Sequence, residues 1–237
     1  MIFSRSVEPE WLDELSPEDS RAMRSRRDLK RINAWMLQTV IMARLLAKHQ
    51  VCPPKRIIEL GSGDGTFMLG VARRMASRWP GVRLTFLDRQ NIVGDATRAN
   101  FRSLGWQAES VTADVFDFLG AQKSGAADLV TANLFLHHFS PAQLTRLFAS
   151  AAGVAPLFVA CEPRRSSLAL AASHMLFAIG CNDVSRHDAV VSVRAGFSHA
   201  ELSELWPARG WSLHEHAAMP FTHCFVARRE RAGDADV

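Results

Sequence analysis

The sequence contains no tyrosine among its 237 residues, so one common proton-carrying side chain is missing from any mechanism. Its cysteines, Cys52, Cys161, Cys181 and Cys224, are scattered and form no Cys-x-x-Cys pair. Such spacing supports neither a zinc site nor a disulfide framework, and it suits reduced thiols in a cytoplasmic protein. We therefore expect no metal ion.

Long apolar runs are also missing, because none reaches the roughly 18 residues that a transmembrane helix needs. The first twenty residues are rich in Glu and Asp and lack the basic-then-apolar order of a secretory signal, which argues against export. The 48% hydrophobic and 22% charged residues are typical of a globular chain with one core. We expect a soluble, cytoplasmic protein without a membrane span.

The chain has no strong charge of either sign, with 28 Lys and Arg against 24 Asp and Glu. Basic residues concentrate between Arg21 and Arg31, where a nucleic-acid-binding patch would need aromatic neighbours for stacking, and only Trp35 is near. A solvated helix face is the favoured interpretation. A small molecule is thus a better candidate partner than a nucleic acid, and nothing indicates the oligomeric state.

The stretch from Arg56 to Met68 combines an apolar strand, a glycine-rich turn and the start of a helix. Glycines let the backbone turn sharply and expose amide groups to a ligand. A phosphate-binding P-loop would end in Gly-Lys-Ser/Thr, but Gly65 is followed by Thr66 and Phe67. A dinucleotide-binding turn would have a small residue in place of Thr66, which weakens that reading without excluding it. A ligand that carries adenosine is the natural inference.

The turn fits the pattern E-x-G-x-G-x-G, with Glu59, Gly61, Gly63 and Gly65 at its fixed positions. In this pattern the sequence resembles the class I S-adenosylmethionine-dependent methyltransferases. In that family the turn wraps the methionine end of the cofactor, so the resemblance implies S-adenosylmethionine as the cofactor of this chain. The resemblance covers roughly residues 55–228.

Acidic residues follow the next two predicted strands in the order that the family uses. The strand over 82–87 ends at Asp88, whose carboxylate can accept both ribose hydroxyls. The strand over 108–112 leads to Asp114, where the family places an acid that binds the adenine amino group. One acid at a strand end is usually a helix cap, but here three successive strands end in acids. The predicted cofactor-binding residues are Glu59, Gly61, Ser62, Gly63, Asp88, Arg89, Asp114, Val115 and Asn133.

The fourth predicted strand, over 127–132, runs into the segment Asn-Leu-Phe-Leu-His-His-Phe at 133–139. Methyltransferases that act on nucleobase or glutamine nitrogens usually place N/D-P-P-Y/F here, and this segment lacks both prolines. It is similar to the small-molecule branch that includes the ubiquinone and menaquinone methyltransferases. The expected reaction is methylation of a phenolic or enolic oxygen of a small, partly apolar molecule. The alternatives are methylation of a quinol ring carbon, an RNA methyltransferase, and a non-catalytic cofactor-binding protein.

Histidine is the expected base, because its pKa lies near neutrality and tyrosine is absent. His138 and His137 follow the fourth strand, His187 lies further on, and we rank the three in that order as catalytic candidates. Adjacent side chains point in different directions, so at most one of the first two faces the substrate. Arg164 and Arg194 are predicted to hold an anionic or carbonyl oxygen of the substrate.

The predicted fold class is α/β: a Rossmann-like, seven-stranded, mostly parallel sheet with helices on both faces and a closing antiparallel hairpin. An N-terminal helical lid is expected over 1–52, with one long helix that Ser16 caps and that continues to about His49. Its apolar stripe must pack on another surface, which we expect to be the main domain near the cofactor.

Three further segments complete the predicted domain organisation. The methyltransferase domain is expected over 53–229, with a substrate-side insertion at about 164–198, and the flexible tail over 230–237. Within the insertion, the helix over 166–180 is almost wholly apolar, so it either lines an apolar substrate pocket or packs in the core.

Overall fold

The structure is a computed structural model, and it describes residues 3–218 and 221–230. Its strands are β1 (Arg56–Leu60), β2 (Arg83–Asp88), β3 (Gln107–Thr112), β4 (Leu129–Asn133), β5 (Leu157–Pro163), β6 (Trp211–Ala218) and β7 (Thr222–Arg229). They form one sheet in the order β3-β2-β1-β4-β5-β7-β6. Strands β1 to β5 are parallel, while β7 runs antiparallel to both β5 and β6. The predicted fold class is confirmed.

Helices alternate with the parallel strands. The helices are α1 (Trp11–Glu14), α2 (Ser20–Trp35), α3 (Gln38–His49), α4 (Thr66–Met75), α5 (Asp95–Ser103), α6 (Val115–Ala121), α7 (Pro141–Val154), α8 (Ser167–His174) and α9 (Asp183–Ala195). Short 3₁₀ helices span Leu136–His138, Met175–Ile179 and Ser203–Leu205. None of the helices in the described ranges is long and apolar enough to cross a membrane.

The core lies in two layers, one on each face of the sheet. One layer packs α3 and α4 against the sheet, and the other packs α6 and α7 against the opposite face. Four of the five residues of β1 are buried, as expected for a parallel strand covered on both faces. The carboxyl ends of β1, β2 and β4 therefore meet at one edge of a rigid sheet, where they can position a site.

The prediction of one long N-terminal helix is wrong. The chain breaks between α2 and α3, and Leu37 takes the left-handed conformation with φ 55°. No glycine or proline marks this position, so the pattern gave no warning of it. The helix also begins later than predicted, because Asp19 rather than Ser16 caps it and accepts a hydrogen bond from Arg21 N at 2.7 Å.

The two halves of this region pack in different ways. The buried side of α2 is Ala22, Ser25 and Asp28, and it is fixed to α9 by polar contacts, such as Asp28 Oδ2 to the backbone N of Asn182 at 2.9 Å. Helix α3 instead belongs to the apolar core, where Met42 and others are fully buried. Within the first 52 residues, only those up to Met36 line the site described below. The lid over 1–52 stays a prediction.

The predicted closing antiparallel hairpin is present, with β6 and β7 in register from Trp211 opposite Arg229 to Ala218 opposite Thr222. Met219 and Pro220, which stand between these two strands in the sequence, lie outside the described residues. So do residues 231–237 of the expected tail, while its first residue, Glu230, donates its N–H to Gly210 O at 3.0 Å.

Candidate active site

The glycine-rich turn follows β1 and has a backbone that favours glycine. Gly61, Gly63 and Gly65 have φ of 65°, 53° and 73°. A Cβ at Gly61 would lie 2.2 Å from Phe135 Cδ2, so no larger residue fits there without moving that ring. The N–H groups of Gly61 and Ser62 donate to Leu87 O at 2.9 and 3.2 Å, which ties the turn to β2.

Asp88, at the end of β2, braces the same turn. Its Oδ2 accepts from Gly63 N at 2.8 Å, and its Oδ1 accepts from Gln90 N at 2.9 Å. Asp114 caps α6 by accepting from Phe116 N at 2.8 Å, so it has the structural role that a single acid at a strand end usually has. Both acids line a common cavity, as do Arg89 and Val115.

Four residues that line this cavity each have a buried polar atom without a hydrogen-bond partner: Asn33 Oδ1, Glu59 Oε2, Ser62 Oγ and Asn133 Oδ1. Burial, together with the charges of Asp88 and Asp64, raises the pKa of Glu59 well above its ordinary value. Buried polar groups normally have partners, so an unpaired set that faces a cavity indicates a ligand that supplies them. The predicted cofactor-binding residues are thus brought together around one cavity.

The cavity measures about 1550 Å³ and has two different sides. The polar side is the edge of the sheet described above. Away from that edge the cavity is lined by an apolar wall, formed by Leu29, Ile32, Met36, Phe139, Ala169, Ala172, Leu176 and Ile179, while the Phe135 ring packs on the turn at Gly61. Sites for single small ligands are roughly 300–1,000 Å³, so the volume is sufficient for two molecules side by side.

Helix α8 and the 3₁₀ helix after it were predicted either to line an apolar pocket or to pack in the core. Neither alternative describes the segment completely. One side lines the cavity through Ala169, Ala172 and Leu176. The other side faces solvent, where Leu168 is 64% exposed and Phe177 is 57% exposed. The segment is therefore a thin apolar wall between the cavity and solvent.

His137 is buried between two carboxylates. Its Nδ1 lies 2.8 Å from Glu162 Oε2, and its Nε2 lies 3.2 Å from Glu10 Oε1. Burial alone would lower the pKa of this imidazole, but hydrogen bonds and charges of Glu10 and Glu162 outweigh burial and raise the pKa to about 9. His137 is therefore a cation at neutral pH and cannot accept a proton.

Glu162, near the end of β5, organises the segment that follows β4. Its fully buried carboxylate accepts from the backbone N of Phe135 at 3.0 Å, Leu136 at 2.9 Å and His137 at 3.3 Å, in addition to the imidazole. This set of bonds fixes the path of the chain, including the left-handed residue Leu134 with φ 51°. As a result, the side chain of the residue that follows His137 borders the cavity.

That next residue is His138, which lines the cavity and has a side chain 25% exposed. Burial, followed by the positive charge of His137, lowers its pKa to about 4. Its Nδ1 lies 3.6 Å from Asp13 Oδ2. The imidazole is therefore neutral at pH 7 and has a lone pair for a proton, which the cationic His137 lacks, but the lowered pKa also makes His138 a weaker base than an ordinary histidine.

An N-terminal strap, residues 3–14, contributes to the site in a way that the sequence analysis missed. Arg5 donates to the backbone oxygens of Ala195 at 2.7 Å and Phe139 at 2.9 Å, which anchors the strap. Glu10 then contacts His137 and accepts from Ser192. The only sequence signal of this role is the acidic stretch at 8–14.

Ligand atoms of Glu10, His137 and His138 lie within 4.8 Å of one another, which makes them the one candidate metal-binding group in the described ranges. Both ring nitrogens of His137 already contact carboxylates. A metal ion would have to replace a proton in that network, so the group is better described as a closed ion-pair network.

Three predicted site residues lie away from the cavity. His187 stacks on Trp11 with ring centroids 3.8 Å apart and places its Nδ1 2.9 Å from Asp188. Arg194 is exposed in the last turn of α9, and Arg164 is joined through its backbone to Phe221. The described cavity wall includes none of these three side chains.

Comparison with known proteins agrees with this geometry. A model of the methyltransferase domain matches residues 57–155. No curated protein matches the chain in sequence. Three similar solved structures are a candidate O-methyltransferase from Nostoc punctiforme PCC 73102, an O-methyltransferase family protein from Burkholderia thailandensis, and the plantazolicin methyltransferase BpumL with S-adenosylhomocysteine and a substrate analogue.

The likeness to these structures is one of fold. Sequence identities are 17%, 19% and 12%, with TM-scores of 0.61, 0.60 and 0.65, and the matches cover 95%, 91% and 93% of this chain. The chain spans 64% and 61% of the length of the first two proteins, less than two thirds, and 93% of the third.

The matched domain, the sheet order and the glycine-rich turn together show a Rossmann-like methyltransferase fold. In this matched domain and in fold, the chain is similar to class I S-adenosylmethionine-dependent methyltransferases. The more specific likeness to quinone methyltransferases stays a prediction.

Proposed function

We propose that this protein is an active enzyme that transfers a methyl group from S-adenosylmethionine to an oxygen of a small, partly apolar molecule. A phenolic or enolic hydroxyl is the favoured acceptor. One observation carries the proposal: a single cavity of about 1550 Å³ runs from the glycine-rich turn, with its unpaired polar atoms, to an apolar wall and the neutral imidazole of His138.

The residues at the polar side fit the cofactor. Glu59 and Ser62 offer unpaired oxygens, Gly61 lets Phe135 approach the turn, and Asp88 presents a carboxylate suited to ribose hydroxyls. When bound, S-adenosylmethionine supplies an activated methyl group on a sulfonium. The protein must then hold the acceptor in line, and such positioning can contribute about 7–11 kcal/mol.

The acceptor side fits an oxygen that must lose a proton. His138 is proposed as the base, with its imidazole facing the cavity and Asp13 beside Nδ1. The apolar wall favours an aromatic or otherwise oily substrate over a charged one. The names of two structural neighbours, both O-methyltransferases, are consistent with an oxygen acceptor.

The proposal is tested by incubating the protein with S-adenosylmethionine and a panel of phenols, enols and quinols, and measuring S-adenosylhomocysteine. We expect turnover on at least one phenol, with the new methyl group on oxygen by NMR. A methyl group on a ring carbon would support the quinol alternative. Tight cofactor binding without turnover on any panel member would contradict the enzyme proposal.

Replacement of Gly61 by Ala is expected to weaken S-adenosylhomocysteine binding by at least about tenfold. A Cβ there meets the Phe135 ring at 2.2 Å in a backbone with φ 65°, so the turn and the ring must both move. Gly63→Val, with a branched side chain at φ 53°, is expected to abolish binding. Isothermal titration calorimetry measures both.

Gly81→Ala is the matched control, because Gly81 also has a positive φ of 70° but its Cβ would meet nothing within 4 Å and it does not line the cavity. It carries the same kind of backbone strain away from the site, so its affinity should equal that of the wild type. Equal loss of affinity in the Gly61 and Gly81 variants would mean that strain, rather than the shape of the turn, explains the effect.

A further inference from the structure

Large apolar side chains concentrate at the mouth of the cavity. Leu168, Met175 and Phe177 are 64%, 56% and 57% exposed, and Trp35 and Leu37, at the end of α2, are 68% and 52% exposed. These five residues form what we call the mouth patch. Met175 and Trp35 also line the cavity, so the patch reaches the cavity at these two residues.

The mouth patch is the main concentration of its kind in the described part of the chain. Nine large hydrophobic side chains are strongly exposed there, and five of them belong to this patch. Single exposed apolar residues are normal, but a continuous group beside a cavity marks an interaction surface. The patch therefore needs an apolar partner.

Basic side chains precede the patch along α2, and one of them, Arg31, is also paired with Asp28 Oδ1 at 3.4 Å. Arg31 is one helical turn before Trp35 on α2, and its guanidinium donates to Ile179 O at 3.0 Å, which links α2 to the turn that carries Met175 and Phe177. Arg24 and Arg27 precede it and are exposed. The partner that fits this surface is apolar in its interior and negatively charged at its boundary.

We propose that the mouth patch docks the protein on the surface of an anionic lipid bilayer. The apolar side chains enter the boundary between headgroups and acyl chains, and the arginines contact anionic headgroups. Tryptophan suits that boundary, since its ring is apolar and its N–H is polar. Docking in this orientation turns the cavity toward the bilayer. An oily substrate can then enter the cavity without crossing water, and this entry of substrate rests on the proposed function.

Vesicle flotation tests the docking without any substrate. We expect binding to vesicles of phosphatidylcholine mixed with phosphatidylglycerol to be about tenfold tighter than to phosphatidylcholine alone, and to weaken with salt. The Trp35 emission should shift to the blue on binding, and Trp35→Phe should remove most of that shift. Arg24→Gln with Arg27→Gln should reduce the preference for anionic vesicles.

The double variant Leu168→Ser, Phe177→Ser is expected to lower vesicle binding by about tenfold or more. Neither side chain lines the cavity, so S-adenosylhomocysteine affinity should be unchanged, which also confirms that the variant is folded. Val51→Ser is the matched control. Val51 is 70% exposed and lies just before β1, at the opposite edge of the sheet, so its replacement should leave vesicle binding unchanged.

Several outcomes would overturn the docking proposal. One is an absence of binding to either vesicle, and another is equal binding of the double variant and the wild type. A third is a dimer in sedimentation velocity that the double variant loses, because the patch would then be covered by a second copy of the chain. Turnover on soluble phenols is measured separately, so failure of the proposed function does not affect the docking test.

Discussion

Replacement of His138 by Gln is expected to lower kcat by about 10²–10⁴-fold, the usual contribution of a positioned acid or base. Glutamine has a comparable size and remains polar, but its amide cannot take up a proton. His138 does not belong to the glycine-rich turn, so affinity for S-adenosylhomocysteine should change little. Initial rates with the best phenol of the panel, together with calorimetry, separate the two effects.

His187→Gln is the matched control, because His187 stacks on Trp11 outside the described cavity wall. It should keep full turnover. With a pKa of about 4, His138 is already neutral throughout pH 6–9, so its own titration should not limit the wild-type rate in that range. Full turnover of His138→Gln from pH 6 to 9 would contradict the base mechanism and leave proximity alone, with a substrate that ionises by itself.

The structure changes the reason for preferring His138. From sequence, histidine was attractive because its ordinary pKa is close to neutrality. In the fold, adjacent histidines have opposite shifts: carboxylates keep His137 charged, while burial and that charge keep His138 neutral. Pairs of groups whose pKa values are pushed apart are typical of sites where one residue positions charge and the other accepts protons.

The sheet and the cofactor edge could be predicted because their determinants are local in sequence. An apolar run, glycines with left-handed φ, and acids at strand ends each act within a few residues, and parallel strands bring those ends together. Gly61, Ser62, Asp88 and Asn133 accordingly line one cavity, as expected. Asp114 was also placed correctly at its strand end, although its carboxylate caps α6.

The substrate side could not be predicted, because it depends on contacts between distant segments. Glu10 reaches His137 across 127 positions in the sequence, through a strap that no periodic pattern marks. The helix break at Leu37 lacks a glycine or proline, so local propensity favoured one continuous helix. Arg164 and Arg194 were chosen for their charge and chain position, and neither property determines on which side of an element a side chain lies.

The protonated state of His137 also leads to a prediction about stability. Its pKa is raised from 6.5 to about 9 in the folded protein, so its contribution is fully present below pH 6.5 and is lost as the pH rises through 9. The free energy of unfolding should therefore fall by about 3 kcal/mol between pH 6.5 and 9. The lowered pKa values of His49 and His138, each about 4, act below pH 6.5 and do not affect this window.

Glu162→Gln is expected to destabilise the protein by about 3–5 kcal/mol at pH 7, the usual cost of breaking a buried ion pair from one side. The replacement leaves the His137 cation with one carboxylate, and it turns an amide NH₂ toward backbone donors that the carboxylate now satisfies. The dependence of stability on pH between 6.5 and 9 should also become shallower, because Glu162 is one of the two groups that raise the His137 pKa. Urea unfolding at several pH values measures both effects.

Glu109→Gln is the matched control for this experiment. Glu109 is also a strand glutamate, but its carboxylate is exposed and has a single hydroxyl partner, Thr85, at 3.1 Å. Its replacement should change stability by less than about 0.5 kcal/mol and keep the wild-type dependence on pH. A Glu162→Gln protein that loses stability yet keeps the full wild-type slope from pH 6.5 to 9 would show that Glu162 acts only by ordering the backbone of the segment after β4. The charge of His137, and with it the lowered pKa of His138, would then depend on Glu10 of the strap alone.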